Sequence, residues 1–233
     1  MNIQQLRPAS ELAKKSGVKA LVYGPPGTGK TPIVATAPRP VLCAIEPGLL
    51  SMKNATGVPV WEAFDEDPKK CMSKIDEFFD WAFRSPEAKQ NFDTFCIDSV
   101  SQYAEIVLKV EEAGNKHGLK AYGEMARKVL GMMESIYFSQ DKNWYLIAKQ
   151  GIDEIDGTNT KRPYFPGKEL NTKIPHLYDE IFHIDMTNIP GQPKPVVAMR
   201  TKSSFGVVAR DRSGNLAEFE PPHLGQIFEK CKL

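Results

Sequence analysis

Lys19-Ala20-Leu21-Val22-Tyr23-Gly24-Pro25-Pro26-Gly27-Thr28-Gly29-Lys30-Thr31 joins an apolar run to a glycine-rich one. The first five residues have the β-branched and aromatic character of a strand, and Gly24-x-x-x-x-Gly29-Lys30-Thr31 fits the phosphate-loop pattern in full. The glycines let successive backbone N–H groups curl inward onto phosphate oxygens. Lys30 would reach the outer phosphates, and the Thr31 hydroxyl would bind Mg²⁺. Gly24, Pro25, Pro26, Gly27, Thr28, Gly29, Lys30 and Thr31 are thus the expected ATP-binding residues. A short helix is expected next, ending near Pro38 and Pro40, with its dipole adding to the anion-attracting field.

Moving outward, Val41 to Ile45 reads as a second buried strand, and Pro68 to Arg84 as an amphipathic helix. Phe92 to Ile97 is a third strand. Two helical patterns follow it, from about Ser101 to Ala113 and from about Tyr122 to Phe138. Trp144 to Ala148 is a further strand, and 151–173, polar and weakly periodic, reads as a long mobile loop. Runs around 180–184, 195–201 and 205–210 suggest strands joined by turns at Pro190-Gly191 and Ser213-Gly214. Strands alternating with helices, then a strand-rich end, predict an α/β fold whose central sheet is mainly parallel, with antiparallel strands toward the C-terminus.

Three strand ends add chemistry. Asp98 follows Phe92–Ile97, so it would emerge at the carboxyl edge of the sheet and serve, with Thr31, as the metal-holding pair. The alternative reading has it merely cap the helix from Ser101, and both roles could hold at once. Glu46 follows Val41–Ile45 and would orient and polarise a water for attack on the γ-phosphorus. Gln150 ends the run from Trp144, and reads either as a γ-phosphate contact or as an ordinary polar loop residue. Asp98 is followed by Ser99, where AAA+ ATPases usually place a catalytic Glu.

With 233 residues at a formal net charge of +1, the chain has the size of one domain, and bulk positive charge is excluded as a means of coating nucleic acid. The opening residues lack a signal-peptide pattern, and no apolar run is long enough for a membrane span, so a cytoplasmic protein without membrane contact is expected. Cys43, Cys71, Cys96 and Cys231 form no Cys-x-x-Cys pair and read as reduced thiols.

Gly24 to Thr31, Ile45-Glu46-Pro47-Gly48, Ile97-Asp98-Ser99 and Ala148-Lys149-Gln150 with its following loop together resemble the RecA-type core ATPases. The likeness is closer to the small phage-encoded, ATP-dependent Sak group of single-strand annealing proteins. It implies one RecA-like P-loop NTPase domain over 1–233, with 1–18 as a short N-terminal segment, in a bacterial host cytoplasm if phage-encoded. It also implies ATP hydrolysis with Mg²⁺, catalytic roles for Lys30, Glu46 and Gln150, and a cation pair, Arg200 and Lys202, that enters a neighbouring protomer's site. The implied partners are single-stranded DNA, further copies in a ring or filament, and a single-strand-binding protein.

The family's DNA-binding loops would fall near Lys116 and Lys120, and near Lys161, Arg162, Tyr164 and Phe165. Residues 114–128 carry a local net +3, whereas 151–173 sum to zero, acidic first and basic later. Tyr164 and Phe165 read either as a platform on which bases stack or as aromatics packed back onto the core. Pro25-Pro26-Gly27-Thr28 is closer to the AAA spelling, and Leu49 to Met52 lacks the adenine-contacting residues of bacterial RecA. A AAA-type or nucleotide-gated ATPase without recombinase activity, and a P-loop kinase for a small metabolite, stay open as alternatives.

Overall fold

The computed structural model describes residues 6–115, 117–189 and 191–233. Among these, nine strands form one sheet, ordered β11-β9-β8-β1-β5-β4-β2-β3 with β10 on β8. The central strands β1 (Lys19–Tyr23), β2 (Pro40–Ala44), β4 (Thr94–Asp98) and β5 (Asn143–Ala148) pair in parallel, as do β1 with β8 (Glu180–Thr187) and β2 with β3 (Val60–Glu62). β9 (Val196–Arg200), β10 (Arg210–Asp211) and β11 (Phe219–Glu220) add antiparallel pairings. The expected α/β class with a mainly parallel sheet is therefore present.

Strand β1 is buried along its whole length, and its side chains alternate between two cores. Leu21 and Tyr23 face the core roofed by α2 (Pro68–Arg84), α4 (Val100–Gly114) and α5 (Gly118–Phe138). Ala20 and Val22 face the opposite core, closed by the 3₁₀ turn of Pro32–Thr36 and by α7 (Leu224–Cys231). Two covered faces explain why the central strands read as continuous apolar runs. α1 (Ala9–Lys15) and α3 (Pro86–Asn91) precede β1 and β4.

Two expectations need correction. The segment after the phosphate loop is not an α-helix but five residues of 3₁₀ helix, because Pro32 opens it, the Thr36 hydroxyl turns back on the Ile33 carbonyl (2.7 Å), and Pro38 prevents continuation. A sustained helix dipole at the loop is thereby lost, leaving the loop's own N–H groups and Lys30 to supply the positive field. The stretch 151–173 is not a loop. Gln150–Ile155 (β6) and Thr158–Pro163 (β7) form an antiparallel hairpin, followed by α6 (Lys168–Lys173). Its turn places Asp156 and Gly157 at φ 50° and 73°, the backbone that an Asp-Gly hairpin turn requires. The run at 205–210 contributes only Arg210 to a strand. Of the two turns expected nearby, Pro190 lies outside the described residues.

All four cysteines are unpaired, three of them buried, as expected of reduced thiols. Among the described residues no helix is long and apolar enough to cross a membrane.

Candidate functional site: a phosphate cleft at the carboxyl edge of the sheet

Register places the site residues together. Across the sheet, Ala44 lies opposite Asp98 and Asp98 opposite Ile147, while Tyr23 lies between Ala148 and His183, and His183 opposite Arg200. The carboxyl ends of five strands therefore form one edge. A cleft of about 480 Å³ opens there, lined by Gly24, Pro25, Pro26, Lys30, Glu46, Asp98, Ser99 and residues 147–150.

The loop's glycines serve two purposes. Gly24 packs so tightly under β8 that a Cβ would stand 2.1 Å from the Ile184 carbonyl oxygen. Gly27 and Gly29 adopt φ of 79° and 85° with open space beside them, which curls the backbone round the cleft. The Thr28 hydroxyl bonds the Pro25 carbonyl at 2.9 Å and closes the curl. Lys30 Nζ lies across it, donating to the Gly24 and Pro25 carbonyls at 2.9 and 2.7 Å. Burial lowers its pKa, opposed by the nearby Asp98 and Glu46 carboxylates.

Thr31 Oγ1 donates to Asp98 Oδ2 at 2.6 Å. Burial raises the Asp98 pKa, the Thr31 bond lowers it, and the neighbouring Glu46 raises it again. A desolvated carboxylate joined to a hydroxyl is an all-oxygen donor set suited to Mg²⁺. These two side chains fit the ion and would hold it.

Glu46 stands just past β2, where the Ile45 N–H is bonded to the Asp98 carbonyl (2.7 Å). Its Oε1 accepts from the Ser99 hydroxyl at 2.5 Å, and the same hydroxyl accepts from the Gln102 N–H at 3.1 Å. Ser99 is thus the N-cap of α4. The alternative reading of Asp98 as a helix cap does not hold, since α4 starts at Val100 and Ser99 caps it; the Asp98–Ser99 peptide is cis. The Ser99 contact with Glu46 escaped sequence reasoning because it depends on β2 and β4 being neighbours.

Gln150 lines the cleft as the first residue of β6, beyond the end of β5. Its Oε1 lies 2.9 Å from Nε2 of His183, which burial holds at a pKa of about 4, with Lys161 adding to the shift. Gln150 is therefore anchored toward β8. Arg200 ends β9 at the same edge, paired with Glu218 (2.8 Å) and lying 4.4 Å over the Phe219 ring. Lys202 is exposed.

The DNA-binding candidates differ in burial and pairing. Phe165 is 1% exposed and belongs to the core beneath α5, so it is removed as a base-stacking residue. Lys161 pairs with Asp185 at 3.4 Å, and Arg162 pairs with Asp153 across the hairpin. Tyr164 keeps an exposed ring, and Lys120 is exposed in the first turn of α5. Lys116 lies outside the described residues.

A phosphate loop on β1, an acid on β4 and a second acid on β2, with β5 between the first two, define a P-loop NTPase cleft. The chain belongs to the AAA_24 family, described as an AAA domain, whose profile matches residues 16–213. No curated protein matches it in sequence. Among solved structures it is similar to the KaiC-like protein PH0186 from the hyperthermophilic archaeon Pyrococcus horikoshii OT3, at 14% identity over 79% of this chain and 78% of that one, with a TM-score of 0.44. The family name agrees with the AAA-like spelling of Pro25-Pro26-Gly27-Thr28. Beside Asp98, however, this chain carries Ser99, and the second acid comes from β2.

Proposed function

We propose that the protein is an Mg²⁺-dependent ATPase that assembles on single-stranded DNA and promotes annealing or recombination. The observation that carries the ATPase reading is the cluster of Lys30, Thr31, Asp98 and Glu46 around one cleft, with Glu46 held by Ser99. Lys30 would turn from the loop carbonyls to phosphate oxygens, and the curled N–H groups would bind the remaining charge. Mg²⁺ held by Thr31 and Asp98 would neutralise charge on the outer phosphates. Glu46 would orient the attacking water and take its proton. Arg200 and Lys202 would complete a neighbour's cleft, as an arginine finger does.

The DNA reading rests on position and likeness. The hairpin springs from Gln150 at the cleft and leads into exposed Tyr164, while Lys120 is exposed on α5. Sizing with a non-hydrolysable ATP analogue and an oligonucleotide tests it. Assembly requiring both is expected; a persistent monomer that binds no oligonucleotide would overturn it.

One observation favours a second reading, a nucleotide-gated AAA-type ATPase that grips a protein partner. Lys161 and Arg162 are internally paired, while Ile152 is 60% exposed on the hairpin and Phe205 89% exposed on the 204–207 loop bonded to it. Hairpin binding insensitive to salt would favour that partner, because phosphate contacts weaken steeply with salt.

A further inference from the structure

We propose that the first turn of α4 couples the hairpin to the water-positioning carboxylate, with Ser99 setting Glu46 and Ser101 fastening the same turn to both feet of the hairpin. The role given to Glu46 rests on the ATPase reading above; the coupling route does not.

Ser101 is fully buried, and its hydroxyl is used twice. It donates to the Tyr164 carbonyl, just past β7, at 2.6 Å and accepts from the Lys149 N–H, just before β6, at 2.9 Å. One side chain therefore ties the entry and exit of the hairpin, whose feet also bond each other through Tyr164 N–H and the Lys149 carbonyl (2.8 Å). The next residue repeats the tie from outside. Gln102 Oε1 accepts from Lys149 Nζ at 2.7 Å, and Glu105 completes that ammonium's pairing at 2.8 Å. Gln102 N–H in turn donates to Ser99 Oγ, which donates to Glu46.

An unbroken series of bonds thus runs from the hairpin feet through residues 101, 102 and 99 to the carboxylate. Buried hydroxyls cannot exchange these partners for water without loss, so a displacement of the feet draws the turn with it. Gln150, the residue that chain order suggests as the relay, is bonded instead to His183, and its tie leads toward β8.

The test is amide hydrogen exchange on the full chain with and without a non-hydrolysable Mg²⁺–ATP analogue, alongside steady-state turnover. In the wild type the analogue should slow exchange in residues 150–163. Ser101→Ala should leave analogue affinity unchanged while abolishing that response. Lys149→Ala, at a half-buried side chain, should halve it and decides the matter if Ser101→Ala fails to fold. Ser99→Ala should lower kcat about 10- to 100-fold at unchanged KM, as loss of a carboxylate's aim does, with partial recovery in Ser99→Thr. An intact hairpin response in the variants, or wild-type kcat in Ser99→Ala, would overturn the proposal. Turnover by a wild type whose hairpin ignores the analogue would sink the coupling and spare the ATPase; a responsive hairpin without turnover would do the reverse.

Discussion

Asp98, partly buried, and Glu180, buried, are carboxyl groups at the ends of parallel strands with different surroundings. Asp98 keeps Thr31 and Lys30 beside it. Glu180 begins β8 at the opposite edge and is 1% exposed, with Oε2 lacking any hydrogen-bond partner among the described residues. Burial, aided by Asp211 and Asp179, raises its pKa to about 8, and the Ser213 and Arg212 N–H groups offset only part of this. The folded value exceeds the unfolded one of about 4.3, so the folded chain holds the proton more tightly. The group's stabilising contribution is then full below about pH 4.3 and lost as pH rises through about 8. Glu180→Gln should accordingly show a smaller fall in Tm between pH 5 and pH 9 than the wild type. Parallel melting curves would refute that assignment. At this scale the phosphate loop, Asp98 and Glu46 were legible because strand ends and a local motif fix them. Ser99, Ser101 and the burial of Phe165 were not, since each depends on which strands and helices become neighbours.

Among the elements, the hairpin and α7 show what sequence patterning hides. β6 and β7 bury neither face fully, so they lack the apolar alternation of a strand. Their sequence signal was the Asp156-Gly157 pair. The acidic-then-basic order across 151–173 also has a structural meaning, because Asp153 on one strand meets Arg162 on the other. α7 was overlooked although Leu224, Ile227, Phe228 and Cys231 follow helical spacing, since eight residues at the chain end give little periodicity to read. Its N-terminus donates directly to the 3₁₀ segment that follows the phosphate loop: the Leu224 N–H bonds Thr36 Oγ1 at 2.8 Å. Phe228, 3% exposed in the core below that segment, braces it. Phe228→Ala should cost about 3–5 kcal/mol in denaturant unfolding and weaken nucleotide affinity as well. A stability loss with wild-type nucleotide affinity would show that α7 does not support the loop.

For the whole molecule, near-neutrality limits what one protomer can do with DNA. Each phosphate neutralised on a single strand contributes a salt slope of only about −0.7, so a few cations would bind DNA weakly alone, and useful affinity would require assembly. Under the proposed function, Arg200 would give assembly a catalytic purpose. Its guanidinium sits at the edge bearing the cleft, held in its own chain by Glu218. If it acts on a neighbour, Arg200→Ala and Glu46→Gln should each be inactive, yet an equal mixture should regain about a quarter of the wild-type turnover through mixed interfaces. A mixture as inactive as its parts would confine Arg200 to its own chain. The mainly parallel sheet could be read from alternating strand and helix patterns. The antiparallel edge was harder to delimit, because β10 and β11 are two residues each.

On the proposed function, Glu46, aimed by Ser99 beside the Thr31–Asp98 pair, would drive ATP hydrolysis in the phosphate cleft. Steady-state phosphate release by wild type and Glu46→Gln, with and without single-stranded DNA at saturating Mg²⁺–ATP, tests it most directly. The account predicts DNA-stimulated turnover that falls about 100-fold or more in Glu46→Gln, while nucleotide binding persists. Equal turnover in the two proteins, unaffected by DNA, would contradict it.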